Sequence, residues 1–291
     1  MIDWGRLITA MVTPFDDNME VDYIKAVELA KKLIAEGTTA LVVAGTTGEG
    51  PTLLDEEKIM LFKTLKEKVE VPIIAGVGTN STASTIENCK KALRCGVDGL
   101  LVVVPYYNKP NQESLYAHFE AISRAVEAPL MLYNVPGRTG MNMLPETVGK
   151  LSKLENIVAL KEASGNIAQL SDMIQKTSDD FLVYTGDDAL TLPSLSVGAY
   201  GVVSVAAQVV GKEMKKMIDA YLDGAVDQAA QIHLKLLNVF HNLFITANPI
   251  PVKAALNMIG IKVGDPRLPL TAAQPAIKAE IQRTLREFNL V

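Results

Sequence analysis

Eight short apolar runs, spaced roughly 20 to 33 residues apart, set the rhythm of this 291-residue sequence. They are LITAMVTPF (7–15), ALVVAG (40–45), PIIAGVG (72–78), GLLVVVP (99–105), PLMLYNV (129–135), IVALKEA (157–163), FLVYTGD (181–187) and GVVSV (201–205). None alternates with polar residues. That is the pattern of strands buried on both faces, and therefore of parallel strands covered by helices. Between them lie amphipathic stretches such as VDYIKAVELAKKLIAEG and TASTIENCKKALRCG, each closing on a glycine as a helix C-terminus does. Eight such strand–helix repeats predict an α/β fold, a closed (β/α)8 TIM barrel. A doubly wound sheet would place G-x-G-x-x-G after its first strand, but here LITAMVTPF runs into DDNMEVD, without a glycine. Beyond about residue 225 the pattern is helical only, with no linker. Residues 1–224 are thus expected to form the catalytic barrel and 225–291 a small C-terminal helical extension.

Composition narrows the setting. The formal net charge of −5, with no Lys/Arg run, argues against nucleic acid, which needs a basic face. No apolar stretch approaches the roughly 18 to 20 residues of a membrane helix, and MIDWGRLITAM lacks the basic start and apolar core of a signal peptide. Cys89 and Cys95 fit no zinc or redox spacing and read as reduced, buried thiols. The expectation is a soluble, cytoplasmic protein with neither nucleic acid nor membrane as partner.

In barrel enzymes the working side chains sit at the carboxyl ends of the strands. Those ends hold Thr46 and Thr47, Tyr106 and Tyr107, Tyr133, Arg138, Lys161, Gly186, Asp187 and Ser204. Lys161 stands out because it follows Val158-Ala159-Leu160 inside an apolar strand, where an ammonium is costly. Desolvation favours the neutral amine, the form that attacks a carbonyl. The alternative is a strand-end lysine paired with Glu162 or reaching solvent. Tyr133 is either a phenol that shuttles protons for a neighbouring amine or an aromatic filling the barrel mouth. Arg138, five residues on in a Gly-containing turn, is either a bidentate carboxylate clamp or a solvated loop cation. AGTTGEGPT (44–52) offers flexible backbone and hydroxyls to a keto-acid oxygen, a weak signal alone. His118, His233 and His241 are scattered without accompanying carboxylates, so they read as structural, and neither metal nor cofactor is expected.

Taken together, LITAMVTPF, GTTGEGPTL, PYYNKP, YNVPGRTG, ALKEASGN, YTGDD, GVVSV and NPIPVK resemble the dihydrodipicolinate synthase/N-acetylneuraminate lyase family over nearly the whole chain. The paired threonines, the PYYN segment and the arginine of YNVPGRTG are similar to its synthase branch, which condenses pyruvate with L-aspartate 4-semialdehyde in lysine and diaminopimelate biosynthesis. The resemblance implies that Lys161 forms a Schiff base with pyruvate. It makes Tyr133 the proton shuttle, linked to Thr47 and to Tyr107 from a neighbouring subunit. It gives the pyruvate carboxylate to Thr46 and Thr47, the carboxylate of the aldehyde to Arg138, and main-chain pocket contacts to Gly186 and Val203. It also implies a homo-oligomer, a tetramer built as a dimer of dimers.

Lysine-inhibited members of the family carry Ser-Ala, two histidines, an asparagine, a glutamate and a tyrosine at their regulatory site. Here those positions hold Gly50-Pro51, Asp55, Lys58, Asn80, Ser84 and Tyr106, so only Asn80 and Tyr106 match and weak or absent lysine inhibition is expected. Two rivals share the pattern. One is an aldolase of the same family acting on N-acetylneuraminate or a 2-keto-3-deoxy sugar acid. The other is a non-catalytic barrel that binds a metabolite.

Overall fold

All eight apolar runs are strands in the computed structural model, which describes residues 2–291. Met1, the first residue of the expected barrel unit, lies outside the described residues. The strands are β1 (Leu7–Ala10), β2 (Ala40–Val43), β3 (Ile73–Gly76), β4 (Gly99–Val103), β5 (Leu130–Asn134), β6 (Ile157–Glu162), β7 (Leu182–Thr185) and β8 (Gly201–Ser204). They pair in parallel in sequence order, and β8 closes on β1, giving the barrel. Each strand stops short of its apolar run, for local reasons. After β1 the amide of Val12 donates to the side-chain oxygen of Gln208 at 3.0 Å instead of to a neighbouring strand, and Pro14 has no amide hydrogen to give. After β2, Ala44 turns left-handed at φ 55°. The chain thus leaves the sheet where the resemblance expects a site.

Between the strands run α1 (Tyr23–Ala35), α2 (Asp55–Lys68), α3 (Thr82–Leu93), α4 (Gln112–Ala125), the single turn α5 (Pro136–Thr139), α6 (Pro145–Leu151), α7 (Ile167–Gln175) and α8 (Thr191–Ser196). Side chains of Asp22, Ser81, Asn111 and Asn166 accept from amides in the first turns of α1, α3, α4 and α7. Each such cap contributes about 1 kcal/mol. The chain ends in α9 (Ala207–Leu222), α10 (Val226–Asn242), α11 (Ile250–Met258) and α12 (Pro275–Glu287). Helix α10 packs on α9 and α12, and α11 packs on α12 and α9, so these helices share one core with the barrel. Among the described residues no helix is long and apolar enough to cross a membrane.

His118 of α4 is buried with Nδ1 2.9 Å from the Thr82 hydroxyl of α3, and burial pushes its pKa down to about 4. The unfolded chain binds a proton there near pH 6.5, so between roughly pH 6.5 and 4 it holds more protons than the folded one. The stabilising contribution is complete above that window and lost as pH falls through it, by roughly 3 kcal/mol in all. Denaturant melts of wild type and His118→Gln from pH 7 to 4 should show the wild type losing stability more steeply. Parallel curves would contradict this.

Candidate active site

The alternation of β6 separates its two charged residues. Lys161 and Glu162 are neighbours in a strand and therefore face opposite sides of the sheet. Glu162 turns outward, where its carboxylate accepts from Asn134 Nδ2 at 2.8 Å, from the Ser164 amide at 2.7 Å and from Gln169 Nε2 at 3.3 Å. Burial nevertheless raises its pKa. The ion pair with Lys161 that the sequence left open does not form. Lys161 is 6% exposed and makes no ion pair among the described residues. Strand register sets Tyr133 beside it, and the ammonium nitrogen lies 4.4 Å from the centre of the phenol ring. Space for the side chain depends on Gly186 after β7, since a Cβ there would meet Lys161 Cε at 2.8 Å. Gly186 is tied in turn to β6 by its amide, which donates to the Glu162 carbonyl at 2.6 Å.

The loop after β2 carries Thr46, half-buried, and Thr47, 4% exposed. It is folded so tightly that a Cβ at Gly50 would lie 2.1 Å from the Ala44 carbonyl oxygen, and Glu49 is left-handed at φ 54°. Buried charge holds that strained residue. Glu49 pairs with Lys253 of α11 at 2.7 Å and accepts from the Arg267 amide at 2.8 Å. The Arg267 guanidinium grips both oxygens of Glu57, at 2.6 and 2.8 Å, and keeps that carboxyl below its usual range. The ring of Phe15 has Lys253 Nζ 4.0 Å and the Arg267 guanidinium 4.3 Å from its centre. Removal from water pushes the Lys253 pKa down to about 8 in spite of Glu49. Sequence reading missed this network, although Glu49 and Lys253 stand within GTTGEGPTL and NPIPVK. Their signal was present only as charged residues next to otherwise apolar or glycine-rich segments.

A cavity of about 480 Å³ opens at the carboxyl ends of β2 to β5, with Thr46, Tyr106, Tyr133 and Arg138 among its lining residues. Arg138 projects from the single turn α5, is exposed and makes no ion pair among the described residues, so its guanidinium is free to meet an anion. Lys161 sits against the Tyr133 ring rather than on the cavity wall, and Thr47, Gly186 and Val203 do not line it. Tyr107 is not brought to the others within this chain. It is 88% exposed and left-handed at φ 73°, a conformation costly for an aromatic residue. The other strand-end residues act as braces: Asp187 accepts from the Ala189 amide, and the Ser204 hydroxyl accepts from the Ala207 amide. Asp188, unnoticed in the sequence, is fully buried and accepts from the Val205 and Ala206 amides at 3.2 and 2.9 Å, linking the ends of β7 and β8. Burial pushes its pKa up to about 6. Among the described residues no three His, Cys, Asp or Glu side chains converge to hold a metal ion.

A buried primary amine against a phenol at the carboxyl end of a parallel barrel, with that phenol and an unpaired arginine lining one cavity, is the equipment of a Schiff-base-forming lyase. The chain belongs to the dihydrodipicolinate synthetase family, which residues 3–288 match. A 4-hydroxy-tetrahydrodipicolinate synthase from Heliobacterium modesticaldum is 53% identical to it, over 99% of this chain and 97% of its own. The crystal structure of a dihydrodipicolinate synthase from Bacillus anthracis is 48% identical, with a TM-score of 0.97 over 98% of this chain and 99% of that one. One from Cyanidioschyzon merolae, solved with lysine bound, is also 48% identical, with a TM-score of 0.97 over 99% of each chain.

Proposed function

We infer that this chain catalyses the 4-hydroxy-tetrahydrodipicolinate synthase reaction, condensing pyruvate with L-aspartate 4-semialdehyde. The observation that carries the reading is Lys161, buried and unpaired against the Tyr133 ring at the end of β6. The neutral amine adds to the pyruvate carbonyl. Tyr133 donates a proton to the departing hydroxyl, which leaves as water, and the protonated imine remains. That imine withdraws electrons, so the pyruvate methyl loses a proton and the resulting enamine attacks the aldehyde carbon. Thr46 and Thr47 hold the pyruvate carboxylate, Arg138 the carboxylate of the aldehyde, and main-chain groups of Gly186 and Val203 complete the pocket. Thr47 and Tyr107 of a neighbouring subunit extend the proton route from Tyr133. The exposed, left-handed Tyr107 supports this, because an aromatic in that state has its contacts elsewhere.

On this reading the working unit is at least a dimer, arranged as a tetramer of two dimers. Residues 1–224 are the catalytic barrel and 225–291 an extension of it. Two unpaired thiols, Cys89 and Cys95, suit the cytoplasm. Incubation with pyruvate and borohydride should add one reduced pyruvate to Lys161, and absence of the adduct ends the lyase reading. Faster turnover of N-acetylneuraminate or 2-keto-3-deoxygluconate than of aspartate semialdehyde would shift the assignment to a sugar aldolase. Arg138 favours the synthase, since a sugar chain asks for hydroxyl-binding groups rather than a cation.

Lysine should inhibit weakly or not at all. Asp55 is taken by Lys91 at 2.8 Å, while Lys58 lines the cavity without an ion pair among the described residues, its pKa lowered by burial. A cationic ligand would meet that ammonium with no carboxylate at Ser84 to offset it. Steady-state rates with sub-millimolar lysine should match those without it, and strong inhibition would refute the expectation.

A further inference from the structure

Glu49 takes no part in the reaction described above, yet the chain on either side of it builds the wall of the cavity. Gly45, Thr46 and Gly50 line that cavity, and Glu49 itself does not. The Glu49 amide donates to the Thr46 carbonyl at 3.1 Å, and the Gly50 amide donates to the Gly45 carbonyl at 3.0 Å. The turn is thus closed through a left-handed residue, a backbone state that a side chain with a Cβ keeps only where its surroundings impose it. What imposes it lies at the far end of the Glu49 side chain. Oε2 accepts from the Arg267 amide at 2.8 Å, whereas Oε1 lies 2.7 Å from Lys253 Nζ without an aligned hydrogen bond. That second contact is held by charge.

Lys253 is fully buried in α11, where its ammonium donates to the Asp265 carbonyl at 3.2 Å and rests against the Phe15 ring. From the same NPIPVK segment, Asn248 Nδ2 donates to Thr47 Oγ1 at 2.9 Å, a second tie to the turn. The charged groups facing Lys253 are Glu49 from the loop after β2 and Asp265 and Arg267 from the segment before α12. Burial opposes its charge most and Arg267 adds to that, while Glu49 and Asp265 favour it. We propose that Lys253 is a positioning residue for the first substrate: through Glu49 it keeps the Thr46–Gly50 turn in the shape that receives pyruvate, and only while its ammonium is charged. The proposal rests on the reading that Thr46 and Thr47 hold the pyruvate carboxylate. Burial pushes the Lys253 pKa down to about 8, so the pair is complete below that pH and is lost as pH rises through it. A neutral amine leaves Glu49 with the Arg267 amide alone, and the turn then relaxes from its left-handed state.

The test measures the KM for pyruvate of wild type, Lys253→Met, Glu49→Gln and the double variant in the full-length oligomer, from about pH 7 to 9.5. At neutral pH each single variant should raise it about 10- to 100-fold, the scale on which a small misplacement of a positioning group acts. The KM for aspartate semialdehyde, whose carboxylate falls to Arg138, should change little. The double variant should be no worse than either single one, because both break the same contact. As pH rises past the Lys253 pKa, the variant-to-wild-type ratio should fall toward one, since the wild type then loses that contact too. The ratio also cancels any titration of Lys161, which all four proteins share. A lysine that serves stability alone would lower the melting temperature and leave the KM for pyruvate where it was. An unchanged KM for pyruvate in both single variants, losses that multiply in the double variant, or a ratio constant across pH would each overturn the proposal. If Lys253→Met does not fold, the isosteric Glu49→Gln decides by the same KM and the same pH ratio. A wild type that forms no borohydride-trapped pyruvate adduct instead defeats the reading of the reaction on which this one rests.

Discussion

Lys161→Ala should fold as the wild type does, yet condense pyruvate with aspartate semialdehyde at least about 10⁴-fold more slowly, the scale on which removing a covalent nucleophile acts. Intact-mass measurement after pyruvate and borohydride should find no adduct. Melting should occur at the same temperature or higher, because the wild type holds a buried amine with no ion pair among the described residues and the variant is relieved of it. The two readouts moving in opposite directions separate a nucleophile from a structural lysine. A variant that keeps an adduct places the nucleophile elsewhere, and one that loses stability along with activity makes Lys161 a structural residue.

Arg138→Ala should divide the reaction between its two substrates. The guanidinium lines the cavity with no carboxylate paired to it among the described residues, so a substrate carboxylate gains a charge-assisted, two-pronged contact. Losing it should lower kcat/KM for aspartate semialdehyde by about 10²- to 10³-fold, corresponding to a few kcal/mol. The pyruvate adduct should still form in full. Arg138→Lys should recover only part of the loss, since an ammonium lacks the planar fork. Equal damage to adduct formation would make Arg138 a pyruvate ligand instead.

The strands were legible because each is a continuous apolar run, and parallel burial leaves just that trace in a sequence. Their ends were not. Where β1 stops depends on the side chain of Gln208 in α9, nearly two hundred residues away. The same division runs through the site. Lys161 announced itself as an ammonium within an apolar strand, and strand alternation then decided between its two possible partners. Tyr133 followed from register, since adjacent parallel strands bring matched positions together. Asn248, Lys253 and Asp188 left no local periodicity, because what they contact is set by closure of the whole fold. Tyr107 could be read only through the resemblance, and a single chain shows no more than its exposure and strained backbone.

Phe15 has one cation from α11 and another from the segment before α12 against its ring, while Lys253 and Asn248 reach the loop that carries Thr46 and Thr47. The floor of the pocket and its rim therefore differ in what keeps them in place. Lys161 and Tyr133 belong to the barrel sheet, whereas the threonines depend on the grip of residues 248–267. Stability is unevenly spread through any fold, and local openings need not involve its most stable elements. An opening of that end which left all eight strands paired would still release Thr47 and Glu49 from the contacts that hold their loop.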